Sequence, residues 1–317
     1  MKRILIISIL SIFLIQVKAQ QDPMFTHYMY NTLGVNPAYA GSRDALTATM
    51  LHRSQWVDFP GAPVTQSLTV HSPINDGVNI GLSAQNDHVG PITSTSLSLS
   101  YAFRFNLTEN SKLAFGLSAG FNHINPNFDN VDLTQPGDPA FSVLDDKFLP
   151  NVGFGAYYSR ESFYAGFSIP RLFENSYTVE YDYSQTNFNK ERRNYVLIAG
   201  GMIPLSYDWD LKPTGLMKAT EGSPMQLDLT CQLVFQNKID FGLMYRTDME
   251  VTQFLNTGDG IGVLVGIDLI DNFYLGYSFD YSFTNPTRYA NKGSHEVMLR
   301  YDLVYKDKFR IRSPRYF

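Results

Sequence analysis

The segment Thr93-Ser-Thr-Ser-Leu-Ser-Leu-Ser-Tyr-Ala-Phe-Arg-Phe105 alternates between two kinds of side chain along its whole length. Thr93, Leu97 and Phe105 belong to the larger, mostly apolar series, and small or polar residues from Ser94 to Arg104 fill the other. Successive side chains of a strand point to opposite faces, so this segment is predicted to be a strand with one apolar and one polar face. The same two-residue period recurs in residues 113–122, 225–235, 273–282 and 296–305.

The polar series of these segments carries charged side chains. Such charges would be costly in the dry core of a soluble β-sandwich, whereas a water-filled lumen accepts them. The apolar series carries large aromatic residues near both strand ends, as the aromatic girdles of a membrane barrel require. Several segments reach about ten residues, the length of a tilted strand that crosses a bilayer. The lumen charges predicted in this way are Arg104, Asp228, Asp240, Arg246, Asp268, Asp280 and Arg300.

The chain contains fourteen candidate strands, an even number, as in bacterial single-chain barrels. Connections after even-numbered strands are short, and most of those after odd-numbered strands are longer; in such barrels short turns face the periplasm. The sequence therefore predicts an all-β fold, a single transmembrane antiparallel β-barrel over residues 44–305 with both termini periplasmic. The predicted strands are 44–53, 64–72, 78–87, 92–105, 111–122, 151–159, 161–169, 194–203, 207–217, 224–236, 238–247, 260–270, 272–282 and 294–305.

The composition excludes several classes of protein. Charged residues make up 17% of the chain, below the globular average of about 25%, and aromatic residues reach 14%, so a disordered chain is excluded. A formal charge of −5 at pH 7 argues against nucleic acid as a partner. Cys231 is the single cysteine, which excludes a disulfide scaffold.

The first residues have the pattern of a secretory signal peptide. Lys2 and Arg3 precede an apolar run over residues 4–15, which is too short for a stable membrane span. Ala19 follows as a small residue at the expected cleavage point, so residues 1–19 are predicted to be removed. An N-terminal anchor helix is the alternative.

Several motifs follow one another in residues 20–91. They are Gln21-Asp-Pro-Met-Phe-Thr-His-Tyr-Met-Tyr-Asn31, Asn36-Pro-Ala-Tyr-Ala-Gly-Ser42, His52-Arg-Ser-Gln-Trp56, Phe59-Pro-Gly-Ala-Pro63 and His71-Ser-Pro73. This succession resembles the PorP/SprF family of type IX secretion system outer-membrane proteins. The barrel pattern and the ending Ser313-Pro-Arg-Tyr-Phe317 extend the resemblance to the whole chain.

The resemblance implies a non-enzymatic outer-membrane barrel without a cofactor. It implies as partners an exported protein with a C-terminal β-domain sorting signal, such as a gliding adhesin, other type IX secretion components, and outer-membrane lipid. Members of this family assist the export or the surface retention of large proteins, and some join a periplasmic ring complex. The resemblance leaves open whether this chain serves motility or general secretion.

Residues 20–43 contain prolines and aromatic side chains but little strand pattern. This aromatic density argues against a poorly ordered terminus. We expect this periplasmic N-terminal segment to plug the barrel or to dock a partner, with Asn36, Pro37 and Tyr39 as its candidate residues.

Two predicted external loops carry aromatic residues suited to partner binding. In loop 54–63, Trp56, Phe59 and Pro60 form a turn-rich surface that suits an interaction. An anchor at the membrane edge is the alternative role. Loop 170–193 is suited to binding another β-rich protein through aromatic contacts. Its candidate residues are Tyr177, Tyr181, Tyr183 and Phe188.

No metal or catalytic site is predicted. Loop 123–150 is rich in aspartate, whose oxygens Ca²⁺ prefers, but the spacing fits no calcium-loop pattern and a solvated acidic loop is expected. The six histidines lie far apart in the sequence, and none belongs to a nucleophile motif. The basic tail 306–317 is expected in the periplasm, where it meets membrane phosphates, an acidic partner or solvent.

A passive porin or small-solute transporter is the alternative function. Fourteen strands enclose a lumen, and charges of both signs are predicted to line it. Pairing of the lumen arginines with acidic residues, together with Tyr157 and Tyr274, would narrow that lumen. The sequence leaves open whether the lumen is open or plugged.

Overall fold

Fourteen antiparallel strands form a closed β-barrel in the computed structural model, which confirms the predicted fold class. The structure describes residues 23–127, 146–177, 189–249, 260–270, 272–283 and 292–303. The barrel strands are β1 (Leu46–Ser54), β2 (Val64–Pro73), β3 (Val78–Val89), β4 (Ile92–Thr108), β5 (Ser111–Pro126), β6 (Lys147–Arg160), β7 (Phe163–Ile169), β8 (Asn194–Gly201), β9 (Trp209–Thr220), β10 (Met225–Phe235), β11 (Ile239–Met249), β12 (Gly260–Ile270), β13 (Phe273–Ser282) and β14 (Ser294–Leu303).

The barrel closes because the first strand pairs with the last. Leu46 of β1 lies opposite Leu303 of β14, and Ser54 lies opposite His295. All the remaining pairings join strands that are consecutive along the chain. Each of the fourteen strands therefore has a hydrogen-bonded partner on both sides. Two short pairings lie outside these strands, one of Ile203–Pro204 with β9 and one of Ser176–Tyr177 with Asn189–Lys190.

Observed and predicted strands differ most around the connection 127–146. β5 continues to Pro126 instead of residue 122, and β6 begins at Lys147 instead of residue 151. The added residues pair with one another, with Ile124 opposite Lys147. The strands extend past the apolar alternation because ladder hydrogen bonds form between backbones and need no apolar face.

The two ends of the barrel carry different connections. One end, which we call the turn end, is also where β1 begins and β14 ends. The opposite end is called the loop end, and two of its connections, 90–91 and 221–224, are short. The turn end carries connections 74–77, 109–110, 161–162, 202–208, 236–238 and 271–272. The loop end carries connections 55–63, 90–91, 127–146, 170–193, 221–224, 250–259 and 283–293.

Side chains are sorted by the face of the barrel that they occupy. On β4, the exposed residues Leu97, Leu99, Tyr101 and Phe103 point outward. The alternate positions of the same strand, Ser94 to Arg104, point into the lumen. An apolar exterior and a polar interior are the arrangement of a barrel that spans a membrane.

Residues 23–45, which we call the inner segment, run inside the barrel. Their regular elements are two 3-10 turns, Thr32–Gly34 and Pro37–Tyr39. No helix in the described part of the chain is long and apolar enough to cross a membrane. Buried inner-segment residues pack against inward wall residues such as Tyr164 and Leu264. The main apolar core therefore lies in the lumen, between the inner segment and the wall.

We expect a charge on the outward face to destabilise the barrel according to its depth. Leu99 is 65% exposed near the middle of β4, whereas Leu107 lies near the turn end of the same strand. Leu99→Arg should lower the free energy of unfolding by about 2–4 kcal/mol, and Leu107→Arg by at most about 1 kcal/mol. Urea unfolding in lipid vesicles measures both, and equal costs would contradict a bilayer around this face.

Candidate functional site

One buried carboxylate holds the inner segment near the loop end. Glu296 of β14 accepts hydrogen bonds from the backbone N–H groups of Thr26 and His27 at 2.9 and 2.8 Å. Its Oε1 also lies 2.7 Å from Nδ1 of His27. The alternation of β14 points Glu296 inward, where it is fully buried. Hydrogen bonds to an ionised acceptor are about twice as strong as neutral ones, so this carboxylate is a firm attachment point.

Arg53 of β1 completes this attachment. Its Nη1 and Nη2 donate to the two carboxylate oxygens of Asp280 on β13 at 2.9 and 2.7 Å, and Nη1 lies 3.3 Å from Glu296. Nη1 also donates to Oγ1 of Thr26 at 2.9 Å. One guanidinium thus joins two wall carboxylates to the inner segment. We call Thr26, His27, Arg53, Asp280 and Glu296 the loop-end anchor.

A second group of ion pairs holds the inner segment at the turn end. Arg43 donates to both carboxylate oxygens of Asp302 at 3.1 and 2.9 Å. Asp44 pairs with Arg104 and, at 3.1 Å, with Lys112. We call these five residues the turn-end anchor. The inner segment is therefore tied to the wall by charges at both of its ends.

Between the two anchors, the inner segment forms hydrogen bonds directly with the wall. The Asn36 side chain donates to the carbonyl oxygen of Ala156 at 3.1 Å and accepts from the Ala38 N–H at 2.9 Å. The Tyr28 hydroxyl lies 3.1 Å from Oγ1 of Thr214. Such bonds offset the cost of burying polar groups in the lumen. Further bonds join Asn31 to Ser67 and Thr69, Val35 to Ser168, and Gly41 to His71.

Two wall glycines make room for the inner segment. A Cβ at Gly155 would overlap the side chain of Asn36, and a Cβ at Gly116 would overlap the backbone of Ala38. Glycine within a strand often marks such a close approach of another chain segment. The small residues on the inward face of β5 and β6 are therefore explained by contact with the inner segment.

Tyr30 of the inner segment lies among cations of the wall. Lys212 Nζ is 4.4 Å from the centre of its ring, and the Arg300 guanidinium carbon is 5.3 Å away. The Tyr274 ring lies 5.0 Å from the Tyr30 ring, and Gln232 donates to the Tyr30 hydroxyl at 3.2 Å. A cation over a desolvated aromatic ring gains about 2 kcal/mol. The inner segment thus stabilises positive charge in the lumen as well as negative charge.

The structure gives a hydrogen-bonding or ionic partner to six of the seven charges that the sequence assigned to the lumen. Arg246 donates to both carboxylate oxygens of Asp228 at 2.8 Å each. Asp240 accepts a hydrogen bond from the Tyr274 hydroxyl at 2.6 Å. Asp280 belongs to the loop-end anchor and Arg104 to the turn-end anchor. Arg300 lies 3.3 Å from Asp302. Asp268 is half-buried at the turn end of β12.

Asn36, Pro37 and Tyr39 lie inside the barrel and are buried. The Tyr39 ring packs edge-on against His71 and Tyr157, with ring centres 5.4 and 5.3 Å apart. The segment expected on the periplasmic side therefore occupies the lumen from residue 23 onward.

Eight residues of the anchors had no predicted role. They are Thr26, His27, Arg43, Asp44, Arg53, Lys112, Glu296 and Asp302. Glu296 and Asp302 stand in the polar series of β14, and Arg53 stands in the corresponding series of β1. The alternation gives the face of each residue but not which strands become neighbours. β1 and β14 meet only because the barrel closes, so this contact between distant parts of the chain left no local signal.

Connection 55–63 packs against residues 292–293 at the loop end. The Val57 N–H donates to the carbonyl of Gly293 at 2.9 Å, and the Val57 carbonyl accepts from the Lys292 N–H at 2.8 Å. Lys292 also pairs with Asp58 at 2.5 Å, and this hydrogen bond raises the pKa of Lys292 above its ordinary value. These contacts attach the connection that follows β1 to the residues that precede β14.

Trp56 and Asp58 have φ angles of +44° and +71°, a conformation that costs residues other than glycine about 1–3 kcal/mol. The Trp56 and Phe59 rings meet edge-to-face with centres 6.4 Å apart, and both residues are half-buried. Pro60 beside them is exposed. The strained backbone therefore presents Trp56, Phe59 and Pro60 together at the loop end.

Several predicted features lie outside the described residues. They are the signal peptide 1–19, the tail 306–317, and the side chains of Tyr177, Tyr181, Tyr183 and Phe188. Of the acidic loop 123–150, Asp146 is described and lies 3.5 Å from His123. The described residues contain no group of three or more His, Cys, Asp or Glu side chains that could hold a metal ion.

The loop-end half of the lumen contains a cavity of about 230 Å³. Phe25, Tyr28 and Asn31 of the inner segment line it on one side. Wall residues from the loop-end halves of β3, β4, β5 and β9 line the others. The cavity therefore lies between the inner segment and the loop end.

We expect loss of the Glu296 carboxylate to release the inner segment. Glu296→Ala leaves Arg53 with one carboxylate partner instead of two and removes the acceptor of two backbone N–H groups. It should lower the free energy of unfolding by about 3–5 kcal/mol and make the inner segment accessible to protease. Val297→Ala, which alters the outward neighbour on the same strand, is the matched control. Equal effects of the two substitutions would contradict an anchoring role for Glu296.

Comparison with known proteins identifies the family of this chain. The barrel is similar to the CymD monoaromatic hydrocarbon channel, at 12% identity over 88% of this chain and 100% of that chain with a TM-score of 0.49. It is also similar to a Pseudomonas aeruginosa FadL homologue, at 12% identity over 84% and 92% with a TM-score of 0.47, and to Omp33 of Acinetobacter baumannii, at 9% identity over 83% and 99% with a TM-score of 0.44. No curated protein sequence matches the chain.

The family model described as type IX secretion system membrane protein PorP/SprF matches residues 17–301. This match covers the inner segment and nearly the whole barrel. A membrane protein of a secretion system that is built as a closed β-barrel with an apolar exterior lies in the outer membrane. The chain therefore belongs to the PorP/SprF family of type IX secretion system membrane proteins and is an outer-membrane β-barrel.

Proposed function

We propose that this protein binds the C-terminal sorting domain of an exported surface protein at its loop end. Binding there supports the secretion of that protein or holds it on the cell surface. The protein acts without catalysis, alongside other type IX secretion components. The observation that carries the proposal is a lumen filled by the inner segment beneath a preorganised aromatic surface at the loop end.

The orientation of the barrel forms part of the proposal. The turn end carries mostly short connections and faces the periplasm, whereas the loop end faces outside the cell. β1 begins and β14 ends at the turn end. In the proposed orientation, both ends of the barrel domain therefore lie on the periplasmic side. The aromatic surface is then available to a protein that has already crossed the outer membrane.

The filled lumen supports a binding role over a transport role. Hydrogen bonds and ion pairs join the inner segment to most strands of the wall, and Tyr157 and Tyr274 occupy the space between. Solute passage would require these contacts to break. A passive porin is the alternative, and its water-filled channel needs the inner segment to leave the lumen.

The connection 55–63 supports a contact surface at the loop end. Aromatic residues are enriched at binding hot spots because they bury large area at low entropic cost. Trp56 and Phe59 are held in place by backbone bonds of Val57 to residues 292–293, so little ordering remains to be done on binding.

We expect the double substitution Trp56→Ala and Phe59→Ala to weaken partner binding without disturbing the barrel. Each lost aromatic anchor should cost about 2 kcal/mol of binding, because its buried contact area disappears. The measurement is co-purification of the exported protein from the native outer membrane, quantified by mass spectrometry. Tyr207→Ala removes a fully exposed aromatic residue at the turn end and is the matched control. Unchanged co-purification with the double variant would refute the surface.

Single-channel recording separates binding from transport. We expect the wild-type protein in planar bilayers to conduct little, because the inner segment fills the lumen. A variant that lacks residues 23–42 should conduct several-fold more, provided that it migrates as a folded barrel without heating. Steady large currents from the wild-type protein would favour the porin.

A further inference from the structure

The loop-end anchor lies at the ends of the two strands that border the aromatic surface. Arg53 of β1 and Glu296 of β14 stand directly opposite each other, next to the last pair of the ladder, Ser54 and His295. The chain leaves β1 at Ser54 and reaches Trp56 two residues later. The anchor in the lumen and the aromatic surface outside it therefore adjoin the same two strand ends.

A hydrogen bond joins the end of β14 to the backbone of Trp56. The Trp56 N–H donates to Oγ of Ser294 at 3.3 Å. Ser294 is buried and lies opposite Asp280 in the pairing of β14 with β13. Asp280 is the anchor carboxylate that receives two bonds from Arg53. Ser294 is therefore a residue through which the position of the anchored strand ends reaches Trp56.

Left-handed backbone lies on both sides of the contact between connection 55–63 and β14. Trp56 has a φ of +44°, and Gly293, whose carbonyl accepts from the Val57 N–H, has a φ of +89°. A Cβ at Gly293 would overlap the ring of Phe279 on β13. A bulky residue such as Trp56 keeps a left-handed backbone only where its surroundings impose it. This contact therefore depends on strand ends that are held in place.

The inner segment supplies part of what holds those strand ends together. Thr26 and His27 donate both backbone N–H bonds to the carboxylate of Glu296, and Oγ1 of Thr26 accepts from Arg53. Without these two residues, the carboxylate would keep only Arg53, at 3.3 Å. A buried ionised group with too few partners is costly, so water must then enter between the strand ends.

We propose that the seated inner segment positions the aromatic surface, with Glu296 as the positioning residue between them. While the inner segment is seated, the ends of β1 and β14 stay together and Trp56 keeps its left-handed backbone. When the inner segment leaves the lumen, connection 55–63 relaxes, and Trp56 and Phe59 lose their common orientation. The inference concerns the free protein, and only its consequence for partner binding rests on the proposed function.

That consequence is a link between partner binding and a filled lumen. Coupling between two sites acts equally in both directions, so a partner on the aromatic surface stabilises the seated inner segment in turn. A barrel whose lumen is empty presents a relaxed connection and binds the partner weakly. Partner binding is thereby restricted to barrels whose lumen is filled.

The fluorescence of Trp56 tests the proposal without any partner. The chain contains two tryptophans, so Trp209→Phe leaves Trp56 as the single emitter. In this background, deletion of residues 23–42 should raise the iodide quenching constant about twofold, because a half-buried ring becomes fully exposed. The deletion leaves Arg53, Asp280 and Glu296 unchanged. Unchanged quenching in a deletion protein that migrates as a folded barrel would overturn the proposal.

Two point variants make the same test in the full-length chain. Glu296→Gln keeps the size of the side chain but weakens its bonds to Arg53 and the inner segment, so quenching of Trp56 should rise. Asp302→Asn makes the same carboxylate-to-amide change in the turn-end anchor, on the same face of β14. It should leave the quenching unchanged. A rise of equal size in both variants would indicate a general loosening of β14 and would overturn the proposal.

Hydrogen exchange provides a second local measurement. In the wild-type protein, the Val57 N–H is bonded to the carbonyl of Gly293 and should exchange slowly. Glu296→Gln should remove this protection in connection 55–63 and leave connection 221–224, which lies between β9 and β10, as it is in the wild type. Equal acceleration in both connections, or in neither, would contradict a positioning role for Glu296.

Co-purification separates this inference from the proposed function. If Trp56 responds to the deletion but no exported protein accompanies the wild-type barrel, the coupling stands and the proposed function fails. If an exported protein accompanies the wild-type barrel but Trp56 responds to neither the deletion nor Glu296→Gln, the coupling is refuted and the aromatic surface stands.

Discussion

The carboxylate of Glu296 is the contact on which the arrangement of the lumen depends. Burial of an ionised group costs several kcal/mol unless partners satisfy it, and here Arg53 and two backbone N–H groups do so. These partners come from β1 and from the inner segment, whereas Glu296 stands on the last strand. Closure of the barrel and seating of the inner segment are therefore coupled, since neither satisfies the carboxylate alone.

The lumen of this membrane barrel contains a packed apolar core, as the interior of a globular protein does. The inner segment supplies apolar side chains to the wall and hydrogen-bond partners to its charges, as Tyr28 and Asn36 illustrate. Rigidity in the lumen has a consequence at the loop end. The floor beneath the cavity is fixed, so a partner that binds as proposed would meet a prepared surface, which lowers the entropic cost of binding.

Alternation in the sequence was enough to predict the barrel, its strand number and the inward face of residues such as Asp228. It could not predict the path of the inner segment, because a chain without a regular period is placed only by contacts with distant strands. The pairing of Arg53 with Glu296 was hidden for the same reason. Nor could it predict the left-handed backbone at Trp56, since bulky residues rarely adopt that conformation unless tertiary contacts impose it.

Photo-crosslinking in living cells tests the central claim most directly. A photoreactive phenylalanine analogue at position 56 reports what touches the loop-end surface, and the same analogue at position 207 reports the turn end. We expect position 56 to capture the C-terminal domain of an exported protein, identified by mass spectrometry, and position 207 not to capture it. Capture of that domain at position 207 alone, or of lipid alone at position 56, would contradict the account.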